Sequence, residues 1–282
     1  MTLVDETLEK TAQELYLDLM KGCLTRTIFE EKYAPIARPE SRVKQGLWSV
    51  ARKALSSTPF ELVRRVKVDP NRRKLGLDWP AEAETMIGLK RLNNLQDCIV
   101  DVLENGVAGD LVETGVWRGG ATIFMRAVLS AYGVTDRVVW AADSFQGLPK
   151  PSADLYPADE GDILWMYPNL AVSLEQVQNN FRRYNLLDDQ VKFLKGWFKD
   201  TIPTAPIEQV SVLRLDGDMY ESTIDVLTHL YPKLSVGGYV IIDDFEPIGA
   251  CKQAVMDYRA ENQIDEEIKP IDGTGVYWQR LR

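Results

Sequence analysis

The sequence predicts an α/β domain with a mostly parallel sheet, preceded by a helical segment and ending in an antiparallel hairpin. Beyond Gly109, short apolar runs alternate with helical stretches, which is typical of consecutive βαβ units. The first eighty residues instead have apolar residues at helical spacing. The last stretch, IKPIDGTGVYWQR, contains two short strand candidates around an Asp-Gly turn.

Residues 1–80 are predicted to form a helical N-terminal extension or lid, and residues 81–282 the main domain. Two apolar stripes support the helical prediction: Leu8, Ala12, Leu15 and Leu19, and then Val43, Leu47, Val50 and Ala54. A further helix is predicted to begin at Pro80 and to stop near Gly106, with an apolar face made by Leu92, Leu95, Ile99 and Val102.

Residues 41–75 are basic within an otherwise acidic chain. They hold ten Lys or Arg residues against Glu61 and Asp69. A charge run of this kind usually forms a solvated face or a subunit contact, although it would also suit an anionic substrate or a membrane surface.

Five apolar runs predict the strands of the sheet, and several end in small or acidic residues. They are DLVETG, RVVWAADSF, QVKFLKG, VSVLRLDGD and GGYVIIDDF. Between the second and third runs, residues 149–169 are rich in Pro, Asp and Tyr and lack periodicity. Because this connection is long, we expect a lid or a substrate loop.

Composition excludes several classes of protein. The formal net charge of -9 argues against general nucleic-acid binding. No apolar run reaches about 18 residues, and the N-terminus does not resemble a signal peptide, so we expect a cytoplasmic protein without integral membrane association. The three scattered cysteines suggest neither disulfides nor a zinc site. The single histidine, His229, makes a histidine-based triad improbable, and a structural role in a helix fits it better.

The segment GDLVETGVWRGGAT places a glycine turn between a buried strand and a helix. Such a turn lets the backbone approach a ligand closely, although Gly115, Gly119 and Gly120 could equally serve tight strand-to-helix packing. The next strand ends at Asp143, where a carboxylate can accept hydrogen bonds from ribose hydroxyls. A helix-capping role for Asp143 or Ser144 is the alternative.

The strongest signal is the pairing of VLRLDGD with GGYVIIDD. If both runs are parallel strands, Asp216, Asp243 and Asp244 emerge together at the carboxyl edge of the sheet. Three such carboxylates repel one another unless protons or a cation relieve them. Oxygen ligands favour Mg²⁺, with Mn²⁺ possible. The alternative is that Asp218 and Asp244 cap the following helices.

The motifs ETGVWRGGAT, DSFQGLP, KGWFKDTIP, LRLDGDMYEST and GGYVIIDDF together resemble the macrocin O-methyltransferase family, over roughly Glu84 to the C-terminus. The resemblance implies a class I methyltransferase fold with a Rossmann-like sheet. It implies S-adenosylmethionine as methyl donor, Mg²⁺ as metal, and a sugar hydroxyl of a glycosylated natural product, as in antibiotic biosynthesis, as acceptor.

The resemblance also implies site residues. The three aspartates match the family's metal ligands, and Asp216 matches its proposed general base. The cofactor shell would comprise Thr85, Met86, Glu113, Thr114, Gly115, Thr122, Asp143, Ser144, Phe145, Gly196, Trp197 and Phe198. Trp117, Trp165, Trp197 and Tyr220 are candidate flat surfaces for a sugar or aglycone, or else aromatic core residues.

Three other functions remain open at this point. A metal-dependent catechol-type methyltransferase would share the same metal chemistry. A nicotinamide-dependent oxidoreductase or epimerase is disfavoured by the missing G-x-G-x-x-G pattern and by the doubled acid at Asp243 and Asp244. A non-catalytic binding module would not need the acidic triad. Family resemblance and the basic segment make a homo-oligomer, at least a dimer, plausible.

Overall fold

A computed structural model describes residues 10–29, 33–36, 41–65, 67 and 69–282. Its centre is a seven-stranded sheet in the order β5-β4-β3-β6-β7-β9-β8. The strands are β3 (Asp110–Thr114), β4 (Val139–Asp143), β5 (Val191–Lys195), β6 (Val210–Leu215), β7 (Leu234–Ile242), β8 (Lys269–Pro270) and β9 (Val276–Gln279). All five predicted apolar runs therefore form strands, and the predicted α/β class is confirmed.

The register of the parallel strands brings their carboxyl ends together. Thr114 pairs with Ala142 on one side and with Leu215 on the other, and Leu215 pairs with Ile242. The residues that follow these positions therefore emerge at one edge of the sheet, where open α/β sheets bind ligands.

The described helices are α1 (Ala12–Leu24), α2 (Arg42–Leu55), α3 (Pro70–Leu75), α4 (Leu89–Glu104), α5 (Gly120–Ala131), α6 (Leu174–Arg183), α7 (Phe198–Thr201), α8 (Tyr220–Leu230) and α9 (Gly249–Glu261). Of these, α1, α4 and α5 pack on one face of the sheet, and α8 and α9 pack on the other. Successive strand residues point to opposite faces, so Leu111 packs in the core with α1, α4 and α5, whereas Val112 packs in the core with α8 and α9.

The buried face of α1 differs from the predicted one. Leu15 and Leu19 are exposed, whereas Leu17, Met20 and Leu24 pack into the core beside α4 and α5. The predicted stripe is therefore wrong at Ala12, Leu15 and Leu19, which are all exposed, because α1 carries apolar residues on two faces and contact with α5 decides which is buried. Leu8 lies outside the described residues. The domain division at residue 80 remains a prediction, although α1 shares the core of the sheet.

Two further expectations for the N-terminal segment are corrected. The helical prediction for residues 1–80 omits two strands, because β1 (Tyr33–Pro35) and β2 (Val63–Arg65) form a small antiparallel pair. In α2, Leu47, Val50 and Ala54 do not face a core, since all three are exposed, Leu47 by 71% and Val50 by 68%. The side chain of Val43 lies outside the described part of the structure.

The helix predicted to begin at Pro80 begins at Leu89. Carbonyl groups in this stretch are taken by distant residues: Arg73 donates to the carbonyls of Met86 and Ile87, and Arg118 donates to that of Ala83. These bonds compete with helix formation. The predicted apolar face of α4 is confirmed, since Leu92, Leu95, Ile99 and Val102 are all buried.

The C-terminal hairpin is confirmed. Strand β9 runs antiparallel to both β7 and β8, and Asp272 closes the turn by accepting hydrogen bonds from the N–H groups of Thr274 and Gly275. Within the described ranges, no helix combines the length and apolar character needed to cross a bilayer. The three cysteines are free thiols.

Substitution of Leu17 tests the docking of α1. Leu17→Ala should lower the free energy of unfolding by about 2–5 kcal/mol, because the side chain is 1% exposed and its removal leaves a cavity. Leu19→Ala, on the same helix but 53% exposed, should cost less than about 1 kcal/mol. Denaturant titration measures both, and equal effects would contradict the docking.

Candidate active site

The glycine turn after β3 lies directly against the end of β6. Gly115 has φ +85°, and a Cβ at this position would sit 1.8 Å from the carbonyl oxygen of Asp216. Only glycine permits both this backbone conformation and this approach. The turn ends at Gly119, the N-cap of α5 with φ +88°.

Asp143, at the end of β4, braces this turn. Its Oδ2 accepts a hydrogen bond from the N–H of Val116 at 2.8 Å, and its Oδ1 accepts one from the N–H of Phe145 at 2.6 Å. Burial raises the pKa of the carboxyl, while these backbone donors partly counteract the rise. Ser144 donates to the carbonyl of Gly147 at 2.6 Å. No helix begins at either residue, so their capping alternative is not observed.

The three predicted metal ligands converge. Asp216 follows β6, Asp243 and Asp244 follow β7, and one carboxylate oxygen from each lies within 4.8 Å of the others. Burial and neighbouring carboxylates raise the pKa values of Asp216 and Asp244. Among the described residues, the buried Oδ2 of Asp244 has no hydrogen-bond partner. A hard cation fits this all-oxygen, electron-rich donor set.

Two buried arginines hold Asp243 from opposite sides. Arg214 in β6 donates to its Oδ1 at 2.5 Å, and Arg91 in α4 donates to its Oδ2. Arg214 also bonds to Glu113 at 2.5 Å and to Asp216 at 2.9 Å. Surrounded by these carboxylates, Arg214 has a pKa raised well above its ordinary value. Arg91 and Arg214 together form an arginine clamp, which fixes side chains at the ends of β3, β6 and β7.

Arg91 extends the clamp to the surrounding chain. Its Nε forms an ion pair with Asp272 in the hairpin turn at 3.1 Å, and its guanidinium donates to the carbonyl of Gly76 at 3.2 Å. Gly76 ends α3 in the N-terminal segment. The acidic site, the hairpin and the end of α3 are therefore joined by one side chain.

Glu113 lies beneath the turn and is 1% exposed. It bonds to Arg214 and accepts the hydroxyl of Thr122 in α5. Burial raises its pKa to about 7, although Arg214 and Thr122 favour the ionised form. This buried position suits a residue that holds the glycine turn in place.

The loop 149–169 is anchored by Asp159. This residue is 1% exposed and accepts hydrogen bonds from the N–H groups of Tyr220 at 2.7 Å and Glu221 at 3.0 Å, at the start of α8. Asp159 therefore satisfies the amino end of α8, which Asp218 was considered to cap. Helix α9 likewise has Ile248 rather than Asp244 at its N-cap. The helix-capping alternative for the aspartates is not observed.

A cavity of about 740 Å³, including its open mouth, lies over these elements. The predicted residues that line it are Met86, Gly115, Asp143, Ser144, Gly196, Trp197, Phe198 and Asp216. The other predicted residues do not line it: Thr85, Glu113, Thr114, Thr122, Phe145 and Asp243 are buried, and Asp244 is partly buried. Thr85 accepts the N–H of Ile87 at 3.3 Å, and Thr114 accepts the N–H of Asp216 through its carbonyl at 2.8 Å.

The aromatic candidates separate into two groups. Trp117 and Trp197 line the cavity, and the indole N–H of Trp117 donates to the carbonyl of Asn169 at 2.8 Å. Trp165 is 39% exposed on the loop, under the ammonium of Lys150. Tyr220 packs against Tyr156 and lies outside the cavity lining.

Sequence reasoning missed several residues of the site. They are Arg91, Arg214 and Asp159, which hold the acids and the loop, and Lys199, Asp218, Glu221, Ser222 and Asp225, which line the cavity. Only Arg214 left a signal, as a cation within the otherwise apolar strand VSVLRL.

The chain is similar to several known proteins. The profile of the family described as Macrocin-O-methyltransferase (TylF) matches residues 13–280. Demethyldecarbamoylnovobiocin O-methyltransferase from Streptomyces niveus is 51% identical, with both chains covered in full. A second relative, from Streptomyces olivaceus, is 8-demethyl-8-(2,3-dimethoxy-alpha-L-rhamnosyl)-tetracenomycin-C 4'-O-methyltransferase. It is 53% identical over 95% of this chain and 93% of its own.

A solved structure, that of the O-methyltransferase NovP, has a TM-score of 0.82 to this chain. It is 50% identical, with 96% of this chain and 100% of that one covered. The chain therefore belongs to the macrocin O-methyltransferase family. It is an O-methyltransferase with the class I methyltransferase fold, and the family implies S-adenosylmethionine as methyl donor.

Arg91→Met tests the arginine clamp. It should lower the free energy of unfolding by about 3–5 kcal/mol, because it takes the ion-pair partner from the buried carboxylate of Asp272 and one of the two arginines from Asp243. The exposed Arg182→Met should change it by less than about 0.5 kcal/mol. Denaturant titration without added metal gives both values; a loss below about 1 kcal/mol for Arg91→Met would contradict the clamp.

Proposed function

We propose that this member of the macrocin O-methyltransferase family methylates a sugar hydroxyl of a glycosylated natural product, with a divalent cation held by Asp216, Asp243 and Asp244. The observation that carries the proposal is the convergence of three carboxylates beside a cavity lined by Gly115 and Asp143. Mg²⁺ is the proposed ion, with Mn²⁺ as the alternative.

The cofactor would lie along the carboxyl edge of β3, β4 and β5. S-adenosylmethionine supplies an electrophilic methyl group when bound. The turn at Gly115 admits a ligand against the backbone, and Asp143 offers carboxylate oxygens for ribose hydroxyls. Gly196, Trp197 and Phe198 form the wall at the end of β5. Buried residues outside the lining, such as Glu113 and Thr122, would orient the lining rather than touch the cofactor.

The cation would be held by one oxygen from each aspartate. When bound, Mg²⁺ lowers the pKa of an acceptor hydroxyl. Two of the aspartates have oxygens that are well placed to bind the cation. Asp244 has an Oδ2 without a hydrogen-bond partner among the described residues, and the side chain of Asp216 is 29% exposed. Asp243 is held by Arg91 and Arg214, so its role is to supply a fixed position.

Asp216 is the proposed general base. It lines the cavity, and its Oδ2 is oriented by Arg214 at 2.9 Å. The single histidine is a poorer candidate, because His229 lies in the third turn of α8 with its Nδ1 against the carbonyl of Asp225. A positioned carboxylate that accepts the hydroxyl proton contributes roughly 10²- to 10⁴-fold to rate.

The sugar acceptor rests on the relatives. One is named for a rhamnosyl derivative and another for a demethyldecarbamoyl form of novobiocin. A sugar with two adjacent hydroxyls would present both oxygens to the cation held by the three aspartates. The two contacts would also fix the orientation of the sugar ring. A cytoplasmic location and at least a dimeric assembly complete the proposal.

Asp216→Asn should lower methyl transfer by at least about 10²-fold, since the amide cannot accept the proton. Melting temperature and S-adenosylhomocysteine affinity should stay close to those of the parent protein. Asp189→Asn, an exposed acid in a distant turn, serves as control. Turnover of Asp216→Asn at the parent rate would refute the assignment.

Metal removal gives an independent test. Chelation should stop transfer, and added Mg²⁺ should restore it and raise the melting temperature of the parent protein. Asp244→Asn should lose most of the stabilisation by Mg²⁺, because a neutral amide replaces a charged carboxylate of the proposed ligand set. Full turnover in chelator, or equal stabilisation of Asp244→Asn, would count against a metal at this site.

A further inference from the structure

Both carboxylate oxygens of Asp243 already accept hydrogen bonds from arginines. Oδ1 accepts one from Arg214 at 2.5 Å, and Oδ2 accepts one from Arg91. Both arginines are buried, with Arg214 1% and Arg91 7% exposed. A divalent cation bound to Asp243 would therefore lie beside two positive charges, and charges of one sign repel strongly in a buried site. Binding requires that nearby acids offset at least one of the two guanidinium charges.

Arg91 also contacts Asp272, an acid in the turn of the C-terminal hairpin. Its Nε lies 3.1 Å from Oδ2 of Asp272, whose side chain is 7% exposed. This Nε is buried and makes no hydrogen bond to the residues that the structure describes, so the contact is an ion pair without a directed N–H bond. Because a buried donor without an acceptor is costly, Arg91 would gain from a hydrogen bond to Asp272.

The turn of the hairpin holds Asp272 in place through its other oxygen. Oδ1 accepts the N–H groups of Thr274 at 2.8 Å and Gly275 at 3.0 Å, and also the hydroxyl of Thr274 at 2.8 Å. A Cβ at Gly275 would lie 3.3 Å from Cδ of Arg91 and from the carbonyl oxygen of Ile242, so the turn packs closely against both. The turn therefore presents a fixed negative charge to Arg91.

We infer that Asp272 is a positioning residue that raises the affinity of the three aspartates for a divalent cation by drawing Arg91 away from Asp243. The inference rests on the proposed metal site. In the present geometry Arg91 hydrogen-bonds to Asp243 and only forms an ion pair with Asp272. With a cation at Asp243, Arg91 is better placed with its Nε bonded to Asp272, because this arrangement lowers the repulsion and satisfies the buried donor. Without the charge of Asp272, Arg91 would stay on Asp243 and compete with the cation.

The test is Mg²⁺ binding to the full chain, measured by calorimetry. In Asp272→Asn, the side-chain carbonyl can still accept the N–H groups of Thr274 and Gly275, whereas a neutral NH₂ group replaces the oxygen beside Arg91. The affinity for Mg²⁺ should fall by roughly 10- to 100-fold, which is the usual effect of groups that orient metal ligands. A residue that only stabilises the turn would lower the melting temperature without this change in affinity.

Two matched variants isolate the ion pair. Thr274→Val removes a hydroxyl that donates to Oδ1 of Asp272, but it leaves Oδ2 and Arg91 in contact. Glu246→Gln removes a negative charge from an exposed side chain beyond the end of β7. Both variants should bind Mg²⁺ with nearly the parent affinity. A loss in either that equals the loss in Asp272→Asn would overturn the inference, because turn geometry or overall charge would then explain it.

Arg91→Met shows whether Asp272 acts through the arginine. In this background Asp272→Asn should no longer weaken Mg²⁺ binding, because the guanidinium that connects the two acids is gone. If Arg91→Met does not fold, Arg91→Lys takes its place, and the loss should shrink because an ammonium lacks the fork that reaches both acids. An unchanged affinity in Asp272→Asn, or the same loss in the Arg91 variant, would overturn the inference. Absence of Mg²⁺ binding by the parent protein would instead overturn the proposed metal site, and the inference with it.

Discussion

The site depends on the buried guanidinium of Arg214. It stands where the ends of β3, β6 and β7 meet and bonds to Glu113, Asp216 and Asp243. Burying one cation among several acids is favourable only when each charge finds a partner in good geometry. This requirement fixes the carboxylates relative to the glycine turn, and Arg91 carries the constraint outward to α3 and the hairpin. Excess negative charge remains after both arginines are counted, which leaves the site suited to a cation.

The sheet and the acidic triad could be read from sequence because their causes are local. Buried parallel strands are short apolar runs, and residues that follow them must emerge at one edge. Asp216, Asp243 and Asp244 could thus be brought together without coordinates. The glycine turn was equally readable, although the contact of Gly115 with Asp216 was not.

The remaining features depend on contacts between distant residues. Arg91 and Asp243 are 152 positions apart, and Asp159 and Tyr220 are 61 apart. The stretch before α4 resembles a helix start in isolation, yet Arg73 and Arg118 take its carbonyls as partners. The buried face of α1 is likewise chosen by α5, and three-residue strands such as β1 and β2 carry too little pattern to be recognised.

The loop 149–169 combines one anchored residue, Asp159, with neighbours that are exposed. The Asp159 carboxylate fastens the loop to α8, while neighbouring side chains such as Leu155 and Trp165 face solvent. Exchange of those exposed residues leaves the hydrogen bonds between Asp159 and α8 in place. The surface of the loop can therefore vary by point substitution while Asp159 keeps the loop fastened to the amino end of α8.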